Sequence, residues 1–592
     1  AIFSSDALSS VAYATEEMLN VLIAAGVTAL GYSLHISIFI SILIIIVGIS
    51  YRQAIKAYPR GGGAYTVARE NLGRGLSLIA AAALLIDYIL TVAVSVTAGI
   101  RALCSAVPIL LPYAVILSVL AVILIAWMNL RGTREAGTIF AIPTYLFVGF
   151  VLLLIGIGAV RYLMGNLHPV HYQNMHNLLP VHTGVALSSL LILRAFSSGC
   201  SAMTGIEAVS NGVQAFETPA AENAMKTLVF LMILLIILFM GTALLAVNLH
   251  IRPSYNQSVL SQIGHALLGS GILYYGLQAA TVLILLLAAN TSFAGFPALA
   301  SMISQDDYLP RQLKSIGDRL AFSNGIILLA LLAISLIIAF NADTHALIPL
   351  YSIGVFIAFT LCQAGLVKFW LQKRSCSWWF KASINGLGCL CTAIAVIIIA
   401  ESKFTHGAWI ILVALPALLW IFYRIHRHYK RTDRELSISF ELDRCEAVYN
   451  KITPKVVVPV SKIHKGTLAA LRFAKALSDD VTVLAIDIHS DRTAQLKADW
   501  QKYKLPGKLV VLESPYQSIT DPLITRIRRM DKIEPERGLT VVVMPRSVPN
   551  KWWHQLLHNN RTLLLKMALT AMDRQENKGQ TRLLIDVPYQ LH

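Results

Sequence analysis

The sequence predicts a two-part protein: an all-α polytopic membrane unit over residues 1–430 and an α/β unit over residues 435–592. Three observations carry this. Of 592 residues, 56% are apolar and 14% charged, with a mean hydropathy of +0.64, and a water-soluble chain of this length cannot hide that much apolar surface. Apolar runs of about 20 residues, enough for a helix to cross a bilayer core, recur as far as residue 427. After about residue 435 the pattern turns to short β-branched runs separated by amphipathic stretches.

Twelve spans fit, near residues 3–26, 34–57, 73–103, 109–129, 136–164, 185–215, 225–249, 270–304, 322–341, 345–372, 381–401 and 404–427. Alternate connections carry the positive charge. Arg52, Lys56, Arg60, Arg69 and Arg74 follow the second span, and Arg131 and Arg134 the fourth. Arg311, Lys314 and Arg319 follow the eighth, Lys368, Lys373, Arg374 and Lys381 the tenth, and Arg424, Arg427, Lys430, Arg431 and Arg434 the twelfth. The segment 165–184 has no Lys or Arg. This bias puts both termini in the cytoplasm of a cell-membrane protein, as an even number of spans requires. The net charge of +17 follows that alternation, so bilayer lipid rather than nucleic acid is the partner it implies. No cleavable signal peptide is visible, and residues of the native N-terminus are expected to precede the first helix.

The tail carries β-branched runs at Val456–Val460, Val481–Ile488, Leu509–Leu512, Leu539–Met544 and Leu583–Val587. Strands alternating with helices imply a parallel sheet covered on both faces. Of the seven cysteines, Cys104, Cys200, Cys362, Cys389 and Cys391 lie in apolar runs. With no CxxC and no metal-ligand spacing they read as reduced core residues. No nucleophile–base pair, metal set or phosphate loop stands out, so the chain is not expected to be an enzyme or to need a cofactor.

Two spans are interrupted by polar residues. The first reads Phe3-Ser4-Ser5-Asp6-Ala7-Leu8-Ser9-Ser10. The sixth reads Phe196-Ser197-Ser198-Gly199-Cys200-Ser201-Ala202-Met203-Thr204-Gly205-Ile206-Glu207. Breaks at corresponding places in two halves mark a secondary transporter with an inverted repeat, here of five plus five spans with broken first and sixth helices. Broken helices leave carbonyls and helix ends at mid-membrane, where they can hold an ion. Asp6 is the strongest pointer, since a carboxylate in an apolar helix faces a cavity or a partner. Tyr13 lies two turns further along. Tyr88, Thr91 and Ser95, spaced i, i+3 and i+7, share one face of the third span. Asp87 points away from that stripe, towards structural pairing with a cation elsewhere. Gly199 and Gly205 permit backbone that a continuous helix does not use. Glu207 is a candidate proton carrier, and Tyr351, beside Pro349, a candidate closing residue.

Carboxylate, hydroxyl and carbonyl oxygens suit a hard monovalent cation, whereas transition metals would call for thiolates or histidines. Two acidic side chains are too few for a strong divalent cage. K⁺ or Na⁺ is therefore favoured, with H⁺ as coupling ion.

Tyr58-Pro59-Arg60-Gly61-Gly62-Gly63-Ala64-Tyr65 with Glu70-Asn71-Leu72-Gly73, Asn129-Leu130-Arg131-Gly132 and Gly199–Ala208 resemble signatures of the amino acid–polyamine–organocation superfamily. Within it the whole chain resembles the KimA-type potassium importers, related to the KUP potassium uptake family. The resemblance implies proton-coupled K⁺ symport by a homodimer. Its cation ligands would fall at Asp6, Tyr13, Tyr88, Thr91, Ser95, Thr204, Glu207 and Tyr351, with potassium itself at Asp6, Thr91, Ser95 and Thr204. Amino-acid carriers of the superfamily keep a Gly-rich break where this chain has Ser4-Ser5-Asp6, which would repel an anion. The tail resembles universal stress protein domains, linked in KimA-type importers to inhibition by cyclic di-AMP. In place of a Gly-x-x-Gly phosphate loop it has Pro545-Arg546-Ser547-Val548-Pro549-Asn550-Lys551-Trp552-Trp553. A phosphate contact through Arg546, His558, Asn559 or Arg561 is one reading of that region and a dimer surface the other. An amino-acid or polyamine carrier, or a nucleotide-sensing membrane receptor, are the alternative functions.

Overall fold

The computed structural model describes residues 2–592 apart from 60, 62, 132–136, 171, 173–187, 255–256, 315–321, 375–376, 405–406, 436–453, 488–489, 514–519, 534–538, 550–580 and 592. It divides into two compact units, Ala1–Leu436 and Ser437–His592.

The first unit is helical. Its elements are α1 (Ile2–Ser9), α2 (Val11–Leu22), α3 (Tyr32–Ala57), α4 (Ala64–Asn71), α5 (Arg74–Ala106), α6 (Ala114–Leu130), α7 (Gly137–Leu163) and α8 (Ser189–Gly199). There follow α9 (Ile206–Asn211), α10 (Ala220–Asn248), α11 (Val259–Leu268), α12 (Ile272–Gln305), α13 (Ser323–Ala339), α14 (Thr344–Lys373), α15 (Trp378–Ser402) and α16 (Ala408–Glu435). Among the described residues ten helical segments are long and apolar enough to cross a membrane. The first and ninth expected spans are not among them. The first is split into the short pair α1 and α2, and the ninth is α13, of 17 residues.

Burial separates a central helix from a rim. The apolar window of α5 is 83% buried and packs against α12 and α14, whereas that of the final helix is 17% buried. Large apolar side chains such as Ile109, Leu163 and Ile272 stand exposed, a surface that hydrocarbon covers at no cost.

The two interruptions differ. In the sixth span α8 tightens into a 3₁₀ turn at Cys200–Met203, Thr204 is extended (φ −65°, ψ 147°), Gly205 is left-handed (φ 81°, ψ −4°), and α9 then restarts. The left-handed Gly205 makes this turn possible, while Ser201 Oγ donates to Ser198 O at 2.8 Å and Thr204 Oγ1 to Ser201 O at 2.8 Å. The first span is interrupted at Ser10 alone, and Ser10 keeps helical dihedrals (φ −61°, ψ −26°). The unwound backbone expected of both spans is found only in the sixth. No glycine occurs between Phe3 and Ser10, and Ser9 Oγ and Ser10 Oγ donate back to Asp6 O (2.7 Å) and Ala7 O (2.6 Å), holding the helical path.

The second unit comprises β1 (Lys455–Pro459), α17 (Lys465–Leu477), β2 (Val481–Asp487), α18 (Ser490–Lys502), β3 (Lys508–Glu513), α19 (Thr520–Ile533), β4 (Leu539–Pro549) and β5 (Thr581–Leu591). All strand pairs are parallel, in the order β3-β2-β1-β4-β5. Successive residues of one strand serve opposite faces. Val456, Val458, Val483 and Val541 pack with Ala470 and Leu471 of α17 and Trp500 of α18, while Val457, Leu484 and Val542 pack with Leu523 and Ile527 of α19. Burial on both faces is why the strands read as continuous apolar runs. β4 runs past its expected end through Pro545 and Pro549. Its pairing with β1 stops at Val542, so a residue without an N–H is tolerated beyond it.

Val542 is central to this sheet, fully buried and flanked by β1 and β5. Val542→Asp is expected to cost more than about 3 kcal/mol, because an unpaired carboxylate would replace a packed methyl pair. Thermal unfolding of the purified protein monitored by the Trp500 environment checks this.

Candidate functional site

α1, α2, the broken sixth span, α5, α12 and α14 bring the expected residues into the interior of the first unit. None of Asp6, Tyr13, Tyr88, Thr91, Ser95, Thr204, Glu207 and Tyr351 is more than 7% exposed.

The break crosses directly over Asp6. A Cβ at Gly205 would lie 2.7 Å from Asp6 Cγ and 2.7 Å from Ala7 N, so only glycine lets the two segments meet this closely. Gly199 differs: its dihedrals are helical (φ −66°, ψ −24°), and a Cβ there would crowd the tip of Ile40 at 2.7 Å and touch Met18 at ordinary contact distance, 3.5 Å. Ser10 Oγ lies 3.0 Å from Ala202 O, tying the two interrupted spans together. Tyr13 Oη stands 3.4 Å from Thr204 Oγ1 and also within hydrogen-bonding reach of Tyr351. Thr291 of α12 faces the Asp6 carboxyl. Tyr88 Oη accepts from Asn211 Nδ2 at 2.9 Å. Thr91 and Ser95 are buried one and two turns further along α5.

Asp87 departs from its sequence expectation. Among the described residues it meets no cation: it lies within hydrogen-bonding reach of Glu207, with Asp6 close enough to interact electrostatically. Asp87 Oδ1 and Glu207 Oε2 are buried without a hydrogen-bond partner. Three carboxyls therefore gather at the break, not two. They do not converge on one point, since no group of three or more His, Cys, Asp or Glu side chains among the described residues could hold a metal ion.

The sequence reading missed a second polar cluster, beyond Tyr13. Glu16 and Glu17 follow Tyr13 by one helical turn. Arg101 Nη2 pairs with Glu16 Oε1 at 2.9 Å and Arg101 Nη1 contacts His345 Nε2, while His345 Nδ1 contacts Glu17. Glu16 Oε2 accepts from Val259 N at 3.2 Å and Arg101 donates to Ser254 O at 3.1 Å. His345 Nε2 also lies 3.5 Å from Glu16 Oε1, so the imidazole stands between both carboxylates and the guanidinium. Lys403, 7% exposed, faces Glu17. Between this cluster and Tyr13 remains a cavity of about 20 Å³ lined also by Ser258, Thr281 and Thr344, room for about one water. The signal available in the sequence was Glu16-Glu17 inside an apolar run.

The motif residues have structural work. Tyr65 Oη donates to Asp306 Oδ2 at 2.6 Å, Arg69 pairs with the same carboxylate at 2.6 Å, and Asn71 Nδ2 donates to Tyr58 Oη at 2.7 Å. Asn129 Nδ2 donates to Asn290 Oδ1, next to Thr291, at 2.6 Å. The five cysteines of the apolar runs are free: Cys104, Cys200 and Cys362 are buried, and Cys389 and Cys391 half-buried. In the tail, Arg546 stands in β4 and its side chain is outside the described residues, as are His558, Asn559 and Arg561.

A polytopic helical unit with a broken span, a closed polar site at the break and an appended α/β unit define a membrane carrier rather than an enzyme. Residues 1–422 match the family described as "Amino acid permease", and residues 451–575 the "KimA potassium transporter C-terminal domain". The chain belongs to the KimA potassium transporter family, built on an amino acid permease unit. It is 40% identical to the "Potassium transporter KimA" of Bacillus subtilis (strain 168) over 572 residues, covering 96% of this chain and 92% of that one. It is 26% identical over 352 residues to the "Branched-chain amino acid permease BcaP" of Lactococcus lactis subsp. cremoris (strain MG1363), covering 55% of this chain and 72% of that one. A solved manganese transporter from Eremococcus coleocola aligns at 15% identity over 72% of this chain and 92% of that one, with a TM-score of 0.39, too low to speak for a shared fold.

Proposed function

We propose that this protein imports K⁺ across the cytoplasmic membrane by alternating access, coupled to a proton. The observation that carries the reading is the contact of left-handed Gly205 with Asp6, which brings carboxyl and hydroxyl oxygens to a helix break in a dry interior. Asp6, Thr91, Ser95 and Thr204 would hold the ion, with Tyr13, Tyr88 and Tyr351 closing the site. Asp87 and Glu207 supply the proton step. Two buried carboxyls this close would share a proton, since like charges so near cannot both ionise without cost. Its loss would separate them by repulsion. Such a step drives transport only if inward- and outward-facing states differ in proton affinity.

The test is K⁺ uptake into proteoliposomes. Asp6→Asn is expected to lower uptake at least about hundredfold, and Glu207→Gln to uncouple uptake from a proton gradient, since each removes a charge from a site with few alternatives. Wild-type behaviour in both variants would rule the site out.

Twelve spans in a five-plus-five inverted repeat, counting the α1–α2 pair and α13, with both termini in the cytoplasm, belong to the same reading. So do a homodimer and inhibition by cyclic di-AMP through the tail. In an open parallel sheet the ligand crevice opens at the carboxyl ends of the strands where the order reverses. Here that is beyond β1 and β4, the strand of Arg546. Titration calorimetry of the purified full-length protein with cyclic di-AMP is expected to give saturable heat, and no heat at high micromolar ligand would count heavily against it.

The amino acid permease match keeps amino acids and polyamines in view as substrates. Asp6 and the helical dihedrals of Ser10 disfavour a substrate carboxylate, which needs unpaired amides at the first-span break. Competition of putrescine with K⁺ for uptake decides the polyamine case. A nucleotide-sensing receptor would bind nucleotide with no ion flux in sealed vesicles.

A further inference from the structure

We propose that Asn211 is a positioning residue for the cation site, acting through Tyr88; this rests on the potassium reading above. Asn211 ends α9, the helix that resumes after the break. Its Nδ2 donates to Tyr88 Oη at 2.9 Å. The other half of the same amide faces the connection between α3 and α4: a Cβ at Gly63 would sit 2.0 Å from Asn211 Oδ1, and one at Gly61 would sit 3.7 Å from Asn211 O. The Tyr88 ring is wedged on its far side against α12, where a Cβ at Gly295 would lie 2.7 Å from Tyr88 Cζ and 3.0 Å from Tyr88 Oη.

The phenol is therefore fixed at the ring by a bare stretch of helix and at the oxygen by one donor. A tyrosine hydroxyl has one proton and two lone pairs. The N–H of Asn211 occupies one lone pair and fixes where the other can point. Tyr88 directly follows Asp87 and precedes Thr91 by three residues, so the direction of that lone pair decides whether the hydroxyl serves the ion. Asn211 itself acts at one remove, and its amide joins the restarted half of the sixth span to both the hydroxyl face of α5 and the glycine connection after α3.

The test is the concentration dependence of K⁺ uptake by the full chain in proteoliposomes. Asn211→Leu keeps the shape of the side chain and removes the donor. It is expected to raise KM about tenfold with kcat little changed, the size of one lost hydrogen bond. Tyr88→Phe is expected to do the same, and the double variant to be no worse than the worse single one, because both remove one interaction. Gly63→Ala leaves both partners intact but drives a methyl into Asn211 Oδ1, and is expected to raise KM likewise. It carries the test if Asn211→Leu does not fold. A wild-type KM in Asn211→Leu and Gly63→Ala, or KM effects that multiply in the double variant, overturns the inference while leaving the transport reading standing. Absence of K⁺ uptake by the wild type sinks both.

Discussion

Gly205→Ala is expected to abolish K⁺ uptake and to destabilise the protein by about 2–5 kcal/mol, whereas Gly199→Ala, six residues away in the same break, is expected to stay within about 1 kcal/mol of wild type. The two glycines look alike in the sequence and differ in the fold. Gly205 has φ 81°, where a side chain costs about 1–2 kcal/mol. Its added methyl would also sit 2.7 Å from Asp6 Cγ and 2.7 Å from Ala7 N, and overpacking of that kind costs about 1–3 kcal/mol more. The backbone amide cannot yield, so the carboxyl must move, and Asp6 is the group proposed above to hold the cation. At Gly199 the backbone is already helical and the methyl meets the Cδ1 of Ile40, a flexible tip. There the better helix propensity of alanine, worth about 1 kcal/mol, offsets a small rearrangement. Thermal unfolding in detergent and uptake in proteoliposomes measure both. Equal behaviour of the two variants would remove Gly205 from its place over Asp6.

What the sequence made legible followed from signals that are local. Apolar runs of bilayer length located the helices because length and hydropathy are properties of one segment. The α/β tail was legible from its buried-strand runs, and five parallel strands are found where five runs stand. Asp6, Tyr13, Thr204, Glu207 and Tyr351 gather because each is a costly polar group in an apolar span, and such groups seek one another. The limits are equally physical. Asp87 was set aside because its helical face pointed away from the hydroxyl stripe, yet the restarted α9 brings Glu207 to that other face. Only the path of the broken sixth span shows this. The first span stays helical because it offers hydroxyls but no glycine, and the left-handed residue that opens the sixth span is Gly205. Arg101 and His345 are 244 residues apart, and no periodicity within either helix announces the pairing.

That pairing carries the second large effect. Arg101→Leu is expected to destabilise the protein by about 3–5 kcal/mol and to suppress uptake, because it takes the guanidinium away from Glu16 in the interior. Glu16 is 4% exposed at its side chain and Arg101 20%, so the carboxylate itself has little access to water. Arg101 also donates to Ser254 O and contacts His345, whose other nitrogen meets Glu17. Removing it therefore loosens α2, α5 and α14 together, at the cavity one turn beyond Tyr13. Adding Glu16→Gln is expected to recover much of the loss. The amide oxygen still accepts from Val259 N, as Glu16 Oε2 does at 3.2 Å, and position 16 no longer carries a charge. A rescue of this kind separates an unpaired-charge penalty from a packing defect, which a second substitution would deepen. Thermal unfolding of the single and double variants reads it directly. If Arg101→Leu costs less than about 1 kcal/mol, the range of a surface pair, the cluster is open to water and does not close the space above Tyr13.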